Sequence, residues 1–149
     1  MRPARSVLSP GPVGGLPGAI ARILAAAGLG VDAWVHARLA DQYDAVAASI
    51  SQGTLFRIEA AFACLAALLV LIWRRLPADA FAWLVAAGGL ALLLVYRYVD
   101  VGKLGPVPNM YEPVWFNDKT ITVVAQGVTI IMATYLMATS RRRGRPQLR

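Results

Sequence analysis

Four long apolar segments, separated by short polar stretches, constrain this sequence more than any other feature. They fill most of a chain of 149 residues, of which 58% are hydrophobic, and the mean hydropathy is +0.56. A helix needs about 20 mainly apolar residues to cross a bilayer core of about 30 Å. Four crossings with short connections use the whole chain. We therefore expect an all-α transmembrane four-helix bundle without a separate water-soluble domain.

The predicted order is a lead-in, four spans and a basic tail. The lead-in, 1–15, is rich in Pro, Gly and Ser and is predicted to be a disordered cytoplasmic segment. The spans are predicted at about 16–39, 54–72, 80–99 and 119–139. The basic tail, 140–149, is also predicted to be cytoplasmic. The connection from Asp100 to Asp118 is the longest, and its three prolines exclude a regular helix there.

The distribution of basic residues predicts the orientation. If both termini lie inside, the inner side holds ten Arg residues and the other side holds five Arg and Lys residues. The ten are Arg2, Arg5, Arg22, Arg74, Arg75, Arg141, Arg142, Arg143, Arg145 and Arg149. The five are Arg38, Arg57, Arg97, Lys103 and Lys119. Because positive charge favours the cytoplasmic side, we expect an N-in/C-in membrane protein.

The net charge of +7 is not interpreted as nucleic-acid binding. Its basic residues adjoin the ends of spans instead of covering one soluble face, so no nucleic-acid partner is expected. The basic start and the small residues near Ala25 to Ala33 would also allow the first span to be a cleaved signal peptide. Arg22 interrupts that apolar run and no clean small-x-small site follows, which argues against cleavage.

Small and polar residues recur at steps of three and four in the first and last spans. The stripe of the first span is Gly18, Ala21, Ala25, Gly28, Asp32 and His36, and that of the last span is Thr122, Gln126, Thr129 and Ala133. Such spacing places a set on one helical face. Small residues let helices approach closely in lipid, so both faces are predicted to point into the bundle.

Ionisable residues concentrate in the half of the bundle predicted to lie outside. The candidate polar site consists of Asp32, His36, Arg57, Glu59, Arg97 and Asp100. An ionised side chain inside an apolar span costs at least ~2.5 kcal/mol unless it is paired or hydrated. Two interpretations remain open. The residues form an outward-facing site for a proton, a metal ion or a quinone headgroup, or they are ion pairs that seat the helix ends.

Metal, haem and catalytic motifs are weak or missing. Asp32 and His36 at i, i+4 present two ligands on one face, and Glu59 could supply a third, so the metal assignment stays unknown. A single His and a single Cys argue against a dedicated zinc or copper site. The single His excludes a bis-histidine haem within one chain, and a His36–Met110 haem is only formally possible. No nucleophile, metalloprotease or phosphate-binding motif is present, so no catalytic residue and no cofactor is assigned.

The first two spans with their connection, and the segment LGPVPNMYEPVWF from Leu104 to Phe116, resemble a family of uncharacterised small four-span bacterial integral membrane proteins. The resemblance covers most of the membrane part of the chain. It implies the four-span fold and no assigned activity, and no functional residue is transferred from it.

The leading expectation is a non-enzymatic accessory or partner-binding membrane component. Besides the lipid bilayer, we expect a membrane-protein partner at the connection from Asp100 to Asp118, where Tyr111, Glu112 and Trp115 are the candidate contact residues. The alternative is a redox or transport component that uses the candidate polar site.

Overall fold

The computed structural model describes residues 15–143, with only the backbone for 141–143. It contains four α-helices: α1 (Leu16–Leu39), α2 (Gln52–Ile72), α3 (Leu76–Tyr98) and α4 (Asn117–Arg143). All four are long and apolar enough to cross a membrane, as expected for a multi-pass membrane protein. The expectations for 1–14 and 144–149 lie outside the described residues. α4 continues to Arg143, so the start of the predicted tail is helical.

Local sequence signals account for the helix ends. α1 and α3 each carry a proline within their first two positions, Pro17 and Pro77, where a missing N–H costs nothing. α2 starts after Ser51, whose hydroxyl accepts a hydrogen bond from the backbone N–H of Thr54 at 3.0 Å. The connection between Tyr98 and Asn117 contains no helix, as predicted from its three prolines.

The helices form a bundle in which sequence neighbours are also neighbours in space. α1 packs against α2 and α4, α3 packs against α4 and more sparsely against α2, and α1 and α3 face each other across a diagonal. One end of the bundle carries the connections 40–51 and 99–116, and we call it the long-loop end. The other carries the tight turn of Trp73 to Arg75, and we call it the short-turn end.

Small side chains form the core and large ones cover the outside. Seven of the ten residues in the central cluster are alanines, joined by Leu29, Val70 and Leu136. Large apolar side chains are exposed instead, as shown by Ile23, Leu68, Leu84, Val124 and Ile131. This inverts the arrangement of a soluble bundle. It is the arrangement expected when lipid surrounds the helices and close backbone packing holds them together.

α1 and α4 approach each other closely at Gly28. A Cβ placed on Gly28 would lie 2.7 Å from the carbonyl oxygen of Ala125 and would also meet the hydroxyl of Thr129. The Thr129 hydroxyl donates to the Ala125 carbonyl at 3.0 Å and lies 3.3 Å from the Ala25 carbonyl oxygen of α1. Both predicted stripes therefore meet here, and their middle residues are buried.

One buried ion pair ties three helices together near the short-turn end. Arg22 of α1 donates to both carboxylate oxygens of Asp79 in α3, at 2.7 and 3.3 Å, and to the carbonyl oxygen of Val70 in α2 at 2.9 Å. Asp79 is completely buried. Because every charge here has a partner, the pair avoids the cost of an isolated ion inside the bundle.

We expect Gly28→Ala to destabilise the bundle by about 1–3 kcal/mol, because the added methyl group has no space against the α4 backbone. Gly30→Ala is the matched control: a Cβ there meets nothing within 4 Å. Since alanine favours a helix over glycine by about 1 kcal/mol, that variant should be neutral or stabilised. Thermal melting in detergent measures both. Equal melting temperatures would show that α1 and α4 do not meet at Gly28.

Candidate functional site

A cavity of about 320 Å³ lies between the helices at the long-loop end. Its wall is mostly apolar. Representative wall residues are Leu55, Phe56, Phe62, Leu93 and Phe116. Polar and charged residues also line this wall, among them His36, Glu59, Arg97 and Lys119. An apolar cavity with a few polar groups is the usual form of a small-molecule site.

A buried polar cluster lies at the α1–α4 contact beside this cavity. Gln126 of α4 donates through Nε2 to Asp32 Oδ1 at 3.0 Å, and both residues are almost completely buried. His36 Nδ1 lies 3.0 Å from the backbone oxygen of Asp32 and 3.2 Å from Oδ1. A carbonyl oxygen only accepts, so Nδ1 is the ring nitrogen that carries hydrogen. The imidazole meets Phe56 edge to face, at 5.2 Å between ring centroids.

Gly89 of α3 leaves room for Glu59 of α2 to reach this cluster. A Cβ on Gly89 would lie 2.5 Å from Gln126 Nε2 and 2.9 Å from Glu59 Oε1. The ends of Glu59 and Gln126 therefore lie close together over the glycine. All four helices thus contribute to the cluster: Asp32 and His36 come from α1, Glu59 from α2, Gly89 from α3 and Gln126 from α4.

Several buried polar atoms near the cavity have no hydrogen-bond partner within the described part of the chain. They are Asp32 Oδ2, Glu59 Oε1, Gln126 Oε1 and Arg97 Nε. Buried polar groups are normally paired, and an unpaired one costs about 1–3 kcal/mol. Glu59 and Arg97 line the cavity, whereas Asp32 and Gln126 lie beside Glu59 in the polar cluster, so unused hydrogen-bonding atoms occur both in the cavity wall and next to it.

Glu112 organises the mouth of the cavity. Its carboxylate accepts from the Tyr43 hydroxyl at 2.8 Å and lies 3.5 Å from Lys119 Nζ. Lys119 Nζ also donates to the carbonyl oxygens of Glu112, at 2.7 Å, and of Val114, at 2.9 Å. These contacts fold the 99–116 connection back onto the bundle. Arg38 and Asp118 form a further ion pair beside it.

Arg97 differs from the other cations of this region. Its guanidinium lies over the rings of Tyr98 and Trp115, at 4.9 and 5.4 Å from their centroids. Among the described residues, no carboxylate lies within ion-pairing distance of it. The aromatic rings stabilise the charge but accept no hydrogen bond in the plane of the guanidinium. Its donors therefore remain available to a ligand.

The structure brings four of the six predicted polar-site residues to this region, namely Asp32, His36, Glu59 and Arg97. Arg57 instead binds the carboxylates of Asp44, at 2.8 and 2.9 Å, and of Asp41, at 2.6 Å, away from the cavity. Asp100 accepts from the Gly102 backbone N–H at 3.1 Å and from Asn109 Nδ2 at 2.8 Å, which closes a turn of the connection.

The predicted partner loop, 99–116, is folded, and its three candidate contact residues do not share one surface. Tyr111 and Trp115 are exposed, whereas Glu112 turns inward to Tyr43 and Lys119. The structure does not support the metal interpretation. Within residues 15–143, no three His, Cys, Asp or Glu side chains are grouped so that they could hold a metal ion.

Sequence reasoning placed Gln126 on a packing stripe and did not assign Gly89, Tyr43 or Lys119 to the site. A glutamine in an apolar span was the available signal, because an amide in lipid needs a partner. No protein-family model, curated protein or solved structure matches this chain.

The Arg57 side chain holds the pKa of Asp44 below its ordinary value of 3.8, through the hydrogen bonds between them. A lowered pKa stabilises the fold above the unfolded-state pKa, and this contribution is lost as the pH falls below it. We expect Asp44→Asn to lower the melting temperature slightly at neutral pH, and we expect this difference to shrink as the pH falls below 3.8 and through the lowered pKa of Asp44. The effect is small because the pair is exposed and screened by solvent.

Asp100→Asn is the control, because Asp100 has no cationic partner within 4 Å in the described part of the chain. Its melting difference from the wild type should not follow the same pH profile. A wild-type advantage over Asp44→Asn that is as large at pH 3 as at pH 7 would contradict the assignment.

Proposed function

We propose that the protein spans the plasma membrane of a bacterium with both termini in the cytoplasm. The bias of ten basic residues to five supports this orientation, and the resemblance to a bacterial family supports the source. The long-loop end then faces outward. The cavity opens on that side, and the Arg22–Asp79 pair lies toward the cytoplasm.

We expect Lys103→Cys to react with a membrane-impermeant thiol reagent in intact cells, and Arg75→Cys to react only after lysis. Both positions are exposed at opposite ends of the bundle. The single native cysteine, Cys64, is replaced by serine in both variants. The reverse labelling order would exclude the N-in/C-in orientation.

Within this topology, we propose that the cavity binds the polar headgroup of a small membrane-soluble molecule, a quinone in the first instance. The protein would then be a redox or transport component. The observation that carries this proposal is the pair Glu59 and Arg97. Both charged residues line a mostly apolar cavity. Unlike Glu112, Asp118 and Lys119 of the same wall, neither forms an ion pair with another described residue.

The chemistry of a quinone fits these groups. Its ring is flat and apolar, and the carbonyl oxygens accept hydrogen bonds of the kind that Arg97 donates. The reduced form carries hydroxyl groups that donate, and Glu59 Oε1 is an acceptor without a partner. The wall and the two ends of such a headgroup are therefore both accounted for.

Access from the lipid supports the same ligand class. Ile58, Phe62 and Leu92 line the cavity and are 46%, 47% and 57% exposed. They lie on α2 and α3, the sparsely packed pair of neighbours. A hydrophobic tail can leave between these helices while the headgroup remains inside.

We expect Arg97→Gln to weaken binding of a short-chain quinone analogue by roughly 10–100-fold, because a hydrogen bond to a charged group is lost from a buried site. Arg57→Gln is the matched control, since Arg57 lies at the same end but outside the cavity. Quenching of Trp fluorescence reports binding, because Trp115 stacks on Arg97. Equal affinities for both variants, or no binding to wild type, would refute the quinone proposal.

A second candidate function is non-enzymatic partner binding by the 99–116 connection. It is supported by the exposure of Tyr111, Val114 and Trp115 on a segment held by its own hydrogen bonds. Co-purification of one stoichiometric membrane protein, lost in Trp115→Ala, together with a cavity that binds no quinone, would favour this function over the first.

A further inference from the structure

Three acceptor oxygens in the α1–α2–α4 cluster lack a donor in the described part of the chain. They belong to Asp32, Glu59 and Gln126, and Asp32 and Gln126 are only 0% and 1% exposed. Gln126 uses its amide nitrogen on Asp32, so its oxygen is the end left over. Two carboxylates therefore share one buried region with an amide and a histidine, and no arginine pairs with either acid.

A single added proton is the simplest way to supply a hydrogen-bond donor to these acceptor oxygens. When Glu59 is protonated, its hydroxyl can donate to the Gln126 amide oxygen or to Asp32 Oδ2. One hydrogen then gives a donor to an orphan acceptor and removes one of two neighbouring negative charges. A hard metal cation would need about six oxygen ligands, whereas only three acceptors without a donor are present here.

We propose that Glu59 holds an exchangeable proton at neutral pH, in a site completed by Asp32 and Gln126. The proton reaches the long-loop end through the cavity, which Glu59 and His36 line. The charged and titratable groups facing this site are Asp32 and His36 on α1, Tyr96 and Arg97 on α3, Asp118 and Lys119 on α4, and Tyr43 and Glu112 at the mouth.

Arg97 does not replace the proton as the neutralising charge. It lies eight residues beyond Gly89 on α3, about 12 Å along the axis, and its guanidinium stacks on Tyr98 and Trp115. His36 stays beside Asp32 instead of Glu59. Glu59 is thus the carboxylate of the cluster without a donor of its own.

Infrared difference spectroscopy tests the proposal on the ligand-free protein in a detergent without ester groups. We expect a protonated-carboxyl C=O band at neutral pH that disappears at alkaline pH and shifts rapidly in D2O, because Glu59 lines the cavity through which we propose that the proton exchanges. The band should be lost in Glu59→Gln and retained in Glu112→Gln, the control at the mouth. Absence of the band from wild type at neutral pH overturns the proposal without any variant.

Two other results also overturn it. A band that remains in Glu59→Gln and disappears in Asp32→Asn would show that Asp32, and not Glu59, carries the proton. A missing band combined with a melting temperature that rises specifically with Na⁺ assigns the site to a cation. The ligand-free measurement does not depend on quinone binding, so the two proposals fail separately.

Gly89→Ala provides a second variant that keeps every titratable group. Its methyl group would displace the ends of Glu59 and Gln126, whereas a Cβ at Gly88 meets nothing within 4 Å. We expect Gly89→Ala to shift the carboxyl band by changing its hydrogen bond, and Gly88→Ala to leave it unchanged. Identical bands in both variants would contradict the placement of the proton over Gly89.

Discussion

The close contact of α1 with α4 is the constraint on which the rest of the structure depends. Gly28 and Ala25 let the α4 backbone approach, and Thr129 bonds across the contact. Once the helices meet there, Asp32 lies one turn farther along α1, opposite Gln126. The packing of two small-residue faces therefore sets the depth of the buried carboxylate. The cavity at the long-loop end follows from this placement.

Lipid makes polar groups inside the bundle expensive, and the chain treats its two buried regions of charge differently. At the short-turn end, Arg22 meets both oxygens of Asp79 and a carbonyl, so the charge is fully paired. At the long-loop end, Asp32, Glu59 and Arg97 each have a buried polar atom with no hydrogen-bond partner within residues 15–143. The first arrangement is that of a structural ion pair. The second keeps bonding capacity in reserve beside a cavity, which is typical of a binding site.

Much of the bundle can be predicted from the sequence, because the bilayer limits the possible structures. Apolar length identifies four helices, and steps of three and four residues identify the buried faces of α1 and α4. The site is harder to predict because position along a helix gives depth and not direction. Arg57 lies two residues from Glu59, yet it turns to Asp41 and Asp44 of the preceding connection. Gln126 was visible as a polar residue, but its bond to Asp32 depends on which helices pack together.

The Arg22–Asp79 pair also has a consequence for how the chain enters the membrane. The two residues are 57 positions apart, and Asp79 lies in the first turn of the third helix. During synthesis, the first helix emerges long before its counter-charge exists. Arg22 must wait near the headgroups, or in the insertion machinery, until two further segments have been made. The contact that buries Arg22 against Asp79 therefore forms only after the third helix has been made.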